Sequence, residues 1–426
     1  MKRVGLFLLM MVMAVSVFAK GEAEPNEPVT VTYLSNGIEV LPGVRAIDWV
    51  RDRIVAEFPN AVLEDALVDL SDGSPFTVKA MIAAGMAPNI YDDTLLRSSS
   101  YMVPEYALPL DGYIRDLDKY PESTLAPYRR NGDLLGLPRG GAGQGMAINL
   151  DIMDEIGFTP EWDWTIADFL EMAELVKQKY KGEKWATGMF AANQSGDYLI
   201  NNWFAAFGAE FYQNGDYSHT TIRETGGAKV HEFFQLLVDK EYVPPGAATL
   251  NDDDYAAAWA EGKYAATAFF PHWAGIYFPT AIDQGKIEKP FRYMFIPFPR
   301  AEGVEKVPTY FMNGAFVVHK TGTIADQIAA RMVEYINSEE MQRTLATVAS
   351  QIPSRSDVVV EMDPYTTMVM RIVQKEGVFD VGLTCPQYSV TRPQHYPILQ
   401  RVLNKQVTPD KSILEYELAL NAALKP

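Results

Sequence analysis

The chain has 426 residues, 48% of them hydrophobic and 22% charged, with 30 Gly and 27 Pro. That composition fits two or three globular domains or one large two-lobed body, and it excludes disordered, collagen-like and coiled-coil architectures. One cysteine, Cys385, excludes an intramolecular disulfide and any cysteine-based zinc or iron–sulfur site, while 37 basic against 55 acidic side chains, a net of −18, argue against nucleic acid and anionic membrane as partners.

Lys2 and Arg3 precede an apolar run from Val4 to Phe18, and Val17-Phe18-Ala19 supplies a small-x-Ala step. Basic, apolar and small residues in that order predict a secretory signal peptide over residues 1–19, because the run is shorter than the roughly 20 residues a membrane span needs. Cleavage after Ala19 removes 19 of the 426 residues and leaves 35 basic against 55 acidic side chains, a net of −20. With no cysteine near the cut to carry a lipid, the mature chain is expected free in the periplasm. Residues 20–28, rich in Pro and Glu, read as a flexible leader.

Val29, Val31 and Tyr33 alternate with Thr30 and Thr32, the period of a strand, and Ser35-Asn36-Gly37 is its turn. Val44, Ile47, Ile54, Val55 and Phe58 share one helical face that Pro59-Asn60 ends. Ala61 to Leu63 is a second short strand; Ser74-Pro75 opens a helix through Ala84, and Ile90-Tyr91 is a third strand that ends at Asp92-Asp93. Alternating strands and helices of this length predict parallel α/β structure. Farther on, Thr165 and Asp168 form a capping-box pattern ahead of an apolar face ending near Gly182. Further helices are expected at 227–240, 253–261, 324–336, 339–349 and 413–424, with Asn251-Asp-Asp-Asp254 as a helix cap.

Several segments, taken in order, carry a family resemblance. They are the run from Thr77 to Tyr91 (TVKAMIAAGMAPNIY, with Asn89 where Asp is usual), Tyr106-Ala-Leu-Pro-Leu-Asp-Gly-Tyr-Ile, Asn131-Gly-Asp-Leu-Leu-Gly-Leu-Pro, and Met146-Ala-Ile-Asn-Leu-Asp-Ile-Met-Asp-Glu-Ile-Gly. Ala258-Trp-Ala-Glu-Gly-Lys-Tyr-Ala-Ala-Thr, Pro271-His-Trp, Phe295-Ile-Pro-Phe-Pro, Asn313-Gly-Ala-Phe-Val-Val and Ile352-Pro-Ser-Arg follow. Each is weak alone. Together, over residues 29 to about 360, they resemble bacterial extracellular solute-binding proteins of the maltose-binding-protein-like, sugar-binding type.

The resemblance implies an α/β, two-lobed periplasmic-binding-protein fold, each lobe a mostly parallel sheet flanked by helices and joined by a multi-strand hinge. Its N-terminal lobe is expected at 29–138 and 274–323, and its C-terminal lobe at 139–273 and 324–426. It further implies a monomer without cofactor that closes on a saccharide and delivers it to a membrane ABC permease.

A sugar site needs flat aromatic platforms and fixed polar groups for hydroxyls. By resemblance Trp273 falls at the family's stacking Trp, on the loop entering the cleft; His272 beside it can bond a hydroxyl or serve as a structural donor. Trp203, in a helix rich in aromatics, is either a platform or core. Asn36 and Asp92-Asp93 follow predicted parallel strands, beyond whose ends ligands bind in open α/β sheets, although turn chemistry also uses such residues. Arg139 to Gly145 (RGGAGQG) is no dinucleotide fingerprint; its four glycines suit a hinge or a close approach, with Arg139 as a ligand donor. By resemblance Asn313 and Arg355 border the cleft, where a guanidinium could fork onto hydroxyls or a carboxylate.

Two rival readings remain at this level. A secreted glycan-cleaving enzyme needs two carboxylates at defined separation, and 55 acidic side chains leave that open, but neither Gly-x-Ser-x-Gly nor His-Glu-x-x-His is present. The same fold could also hold a non-sugar solute such as a polyamine.

Overall fold

The computed structural model describes residues 27–34, 39–41, 44–66, 76–94, 102–213, 215–383 and 385–425, with backbone alone at 39–41, 44–46, 76–79, 92–94, 312–313 and 349. The expected signal peptide and most of the leader lie outside the described residues, as does Asn36. Numbering strands of four or more residues and helices of seven or more, the first half contains β1 (Val29–Tyr33), α1 (Ala46–Glu57), β2 (Ala61–Asp65), α2 (Phe76–Ala83), β3 (Ile90–Thr94), β4 (Leu137–Gly143), β5 (Gly145–Asn149), α3 (Leu150–Ile156), α4 (Ile166–Tyr180) and α5 (Asp197–Ala206). The second contains α6 (Gly227–Asp239), α7 (Asp252–Ala260), β6 (Ala266–Phe269), α8 (Pro271–Asp283), β7 (Tyr293–Ile296), β8 (Phe311–Val318), α9 (Ile324–Ile336), α10 (Glu339–Ala349), α11 (Pro364–Glu376), α12 (Tyr396–Leu403) and α13 (Pro409–Ala423).

Two sheets organise the chain. In the first, ordered β2-β1-β3-β8-β4, β1 runs parallel to β2 from Val29↔Ala61 to Tyr33↔Asp65 and meets β3 at Tyr33↔Ile90. The alternation seen in β1 places Val31 and Tyr33 in the core. β8 then enters antiparallel between β3 (Val318↔Ile90) and β4 (Phe316↔Leu137). The second sheet is β6-β5-β7, with both outer strands antiparallel to β5. The two-lobed α/β architecture is as expected, but the mostly parallel second sheet is not. β5 enters this lobe as the continuation of β4, and both its neighbours run against it.

Strand pairing also corrects the expected lobe boundaries. β7 hydrogen-bonds β5, so residues 274–310 stay with the second sheet, and β4 belongs to the first. α9 packs on α1 and β1, and Arg53 of α1 bonds Glu340 of α10 at 2.7 Å. Both helices therefore return to the first lobe. The chain changes lobe at Gln144, near Tyr310, and again between Ser356, which bonds the Lys119 carbonyl, and α11. The segment between β8 and α11, residues 274–310 and most of β4 thus lie in the other lobe from the one expected.

Local signals hold well where they are chemical. Thr165 Oγ1 accepts from the Asp168 N–H, and the Asp168 carboxylate accepts from the Thr165 N–H, closing the expected capping box of α4. Asn251 and Asp254 do the same for α7. Each such cap contributes about 1 kcal/mol. Trp164 is buried against the start of α4, its indole N–H on the Pro297 carbonyl at 2.9 Å.

All ten residues of α5 are buried, as expected of a helix enclosed on every side. The C-terminal helices supply part of that enclosure: α12 and α13 pack on α6, and His395 Nδ1 meets Asn201 Oδ1 of α5 at 2.8 Å. His395 lies stacked with His231 of α6, Nε2 to Nε2 at 3.3 Å, and His231 Nδ1 meets Ser412 Oγ at 2.7 Å. Burial pushes His231 down to about 3 and His395 well below its ordinary range.

Candidate interlobe site

The two lobes face each other where β4 and the start of α8 meet. Arg139, Gly140, Gly141 and Ala142 of β4, Gly314 of β8 and Gln351 come from the first lobe, and His272 from the second; together they bound a void of about 40 Å³. A larger cavity, about 630 Å³, lies within the second lobe alone. The volume between two lobes depends on how far apart they stand, so size does not choose between them. Of the two, the interlobe void is the one bounded by both bodies, where a ligand can favour one lobe arrangement over another.

Arg139 lies across Gly314: a Cβ on Gly314 would stand 2.0 Å from Arg139 Nε. The glycine is thus what lets the guanidinium lie flat on β8. On the opposite wall Pro271 opens α8, so His272 and Trp273 occupy the first turn of a helix rather than the loop that resemblance implied. Burial, with the Arg139 charge nearby, pushes His272 down to about 4. Its imidazole is neutral at pH 7 and can both donate and accept. Trp273 is half-buried, its ring 5.5 Å from Phe269 and Phe270 and 5.8 Å from Tyr277, so a rigid aromatic edge fixes its orientation beside His272.

The remaining glycines serve packing. A Cβ on Gly143 would meet Val369 at 2.7 Å, and one on Gly145 would meet Ile372 at 2.8 Å. α11 therefore lies directly on the β4–β5 crossing. Gln144, fully buried between them, donates its side-chain N–H to the Tyr198 carbonyl at 3.0 Å, and its own carbonyl accepts from Thr309 Oγ1 at 2.8 Å. The Tyr310 N–H donates to Asn202 Oδ1 at 2.6 Å, and the Tyr310 ring stacks on Tyr198 at 5.0 Å. Two lobe crossings are in this way tied to one helix, α5. Gln144 Oε1, Asn202 Nδ2 and the Tyr310 hydroxyl are buried there without hydrogen-bond partners among the described residues.

The expected site residues divide. Arg139 and His272 come together across the cleft, with Trp273 adjacent. Asn313 stands in β8 opposite Gly141 of β4, and Asp92 and Asp93 stand in β3 opposite Phe316 and Ala315. The last two lie within a strand that continues to Thr94 rather than beyond its end; the side chains of all three lie outside the described residues. Trp203 is corrected: only 1% exposed, it packs between Phe169, Phe233 and Phe298 at 5.0–5.4 Å, in the core of the second lobe. Arg355 is corrected too. It is 6% exposed, with Asp357 at 2.8 and 2.9 Å and Asp116 at 3.4 Å, so its donors are already used to hold the third crossing segment to the first lobe. Gln351 was missed. Its signal lay in the same Ile352-Pro turn that pointed to Arg355, four residues away.

A family model described as bacterial extracellular solute-binding protein matches residues 71–368. Among solved structures, a chitin oligosaccharide binding protein is similar at 19% identity and a TM-score of 0.77, covering 94% of this chain and 100% of that one. The GacH receptor of Streptomyces glaucescens, solved without ligand and with acarbose, is similar at 16% identity and a TM-score of 0.73, covering 93% and 98%. The maltose-maltodextrin binding protein of Alicyclobacillus acidocaldarius is similar at 14% identity and a TM-score of 0.71, covering 92% and 100%. Among curated protein sequences none matches the chain.

Proposed function

The chain belongs to the bacterial extracellular solute-binding proteins, and from that premise we propose that it captures a sugar or oligosaccharide between its lobes and presents it to a membrane ABC permease. The observation that carries the saccharide is the pairing across the cleft. A first-lobe wall of small residues bears Arg139 and Gln351, and it faces a helix start bearing neutral His272 and the half-buried ring of Trp273. An aromatic face for C–H groups beside directional donors and acceptors is what a saccharide requires. Similar structures crystallised with saccharides, or named for them, support the same class. A polycation is disfavoured, because it would meet the Arg139 guanidinium.

In this reading residues 1–19 direct export and are removed, and the mature protein works in the periplasm as a monomer. Capture is reversible, with closure of the lobes and no covalent step. The test is thermal unfolding of residues 20–426 against mono- and oligosaccharides, polyamines, amino acids and phosphate esters. A solute at a hundred times its Kd adds about 2.7 kcal/mol to stability. Stabilisation by one group of saccharides, recovered intact, is the expected result. Stabilisation only by a non-sugar removes the saccharide from the proposal, and recovery of a cleaved saccharide replaces capture with catalysis.

A further inference from the structure

The cavity of about 630 Å³ in the second lobe opens where α4, α6 and the end of α12 surround residues 242–248. Its volume falls within the roughly 300–1,000 Å³ of small-molecule sites. Trp185, Val238, Val243, Pro244 and Leu403 give it an apolar lining, and the Tyr242 hydroxyl is already engaged by Glu174 at 2.7 Å. The rim is of opposite character to the rest of this acidic chain. Lys177, Lys181 and Lys184 stand there against Glu241, and Lys177 already holds Glu241 at 3.0 Å. Lys184 lies 4.6 Å above the Tyr180 ring, and among the described residues neither it nor Lys181 has a carboxylate within ion-pair distance.

An apolar chamber with two uncompensated ammonium groups at its mouth selects for an apolar body carrying one negative charge. We propose that this cavity is a second binding site, taking a small amphipathic carboxylate, separate from the interlobe cleft. Its walls come from one lobe only, so its occupant does not bridge the lobes, and the site stands whether or not the cleft ligand is a saccharide.

The test uses residues 20–426 with 4-phenylbutyrate and, as its uncharged counterpart, 4-phenylbutanol, titrated by calorimetry. The carboxylate is expected to bind at one site about tenfold or more tighter than the alcohol, a difference of about 1.4 kcal/mol. It should shift the Trp185 indole N–H signal, assigned through Trp185→Phe. Lys181→Glu with Lys184→Glu should abolish the preference; the more conservative Lys181→Gln with Lys184→Gln should reduce it and serves if the reversed pair fails to fold. Absence of binding, equal binding of acid and alcohol, a preference that survives both double variants, or an unmoved Trp185 signal would each overturn the proposal.

Discussion

The backbone N–H of Gln144 donates to the carbonyl of Tyr310 at 3.3 Å, so the chain's first two passages between lobes are bonded to each other as well as to α5. Removing the Asn202 amide should show how much this junction carries. Asn202→Ala leaves the buried Tyr310 N–H without its acceptor, which costs about 1–3 kcal/mol. The midpoint of urea unfolding should fall with the slope unchanged; a midpoint equal to that of the parent would mean that the bond carries nothing.

Trp273 and Trp203 should part company when each is truncated. Trp273→Ala is expected to weaken saccharide binding about tenfold or more, close to 1.4 kcal/mol, with little loss of stability. Trp203→Ala empties a site packed by three phenylalanines and should cost about 3–5 kcal/mol of stability, while the protein that still folds keeps its affinity. Calorimetric titration beside chemical denaturation separates the two. An unaltered affinity in Trp273→Ala would remove the ring from the site.

Gly314→Ala puts a methyl group where Arg139 now lies. The obstructing atoms belong to a flexible side chain, so the protein should fold with a loss at the low end of about 1–3 kcal/mol while Arg139 is driven off β8. Affinity should fall although neither Arg139 nor any other polar group has been removed. Equal affinity in parent and variant would show that the position of Arg139 does not matter to the ligand.

Arg355→Ala gives the opposite pattern. It leaves Asp357 and Asp116 without their shared guanidinium and should lower stability by about 1–3 kcal/mol, with the ligand Kd within about twofold of the parent. A tenfold loss of affinity at retained stability would return Arg355 to the ligand.

Acid should weaken the fold above the range in which ordinary carboxylates titrate. His231 and His272 are pushed down to about 3 and 4, and His395 lower than its usual range, all by burial first. Below the unfolded-state value of about 6.5 the unfolded chain binds protons that the folded chain refuses, so stability falls as pH falls. Each such histidine contributes a slope of about 1.4 kcal/mol per pH unit from there down to its folded value. Between pH 6 and 5 ordinary carboxylates remain ionised, while Asp197, Asp252 and Asp380, which burial pushes up, oppose the histidine slope, so the share of one histidine is read by its removal. His231→Gln should reduce the histidine slope by about one proton; a slope in the variant equal to that of the parent would contradict the assignment.

Sequence revealed most where a few neighbouring residues decide the outcome. α9 runs over Ile324–Ile336 as its apolar period predicts, with Thr323 capping it, and the Thr165–Asp168 box closes as written. Partnership between distant strands was not readable. Tyr293–Ile296 and Phe311–Val318 are both short apolar runs, and nothing local says that one joins β5 and the other slides between β3 and β4. The same blindness affected the tryptophans. Trp203 and Trp273 both sit in aromatic stretches, and only the arrival of Phe169, Phe233 and Phe298 from elsewhere makes the first a core residue. Arg355 misled because an arginine advertises donors: one acceptor, Asp357, stands only two residues on, but the other, Asp116, comes from far along the chain.

The place of β8 in the first sheet bears on how the molecule is made. β3 and β4 flank a strand that leaves the ribosome about 170 residues after β4 is complete; at about 5–20 residues per second that is a wait of roughly 10–35 s. Until then the sheet exists as two unconnected pieces, each with a bare edge, and the contacts that would unite them span long stretches of chain, which makes for slow folding. A nascent polypeptide of this design cannot complete its first sheet until β8 has been made.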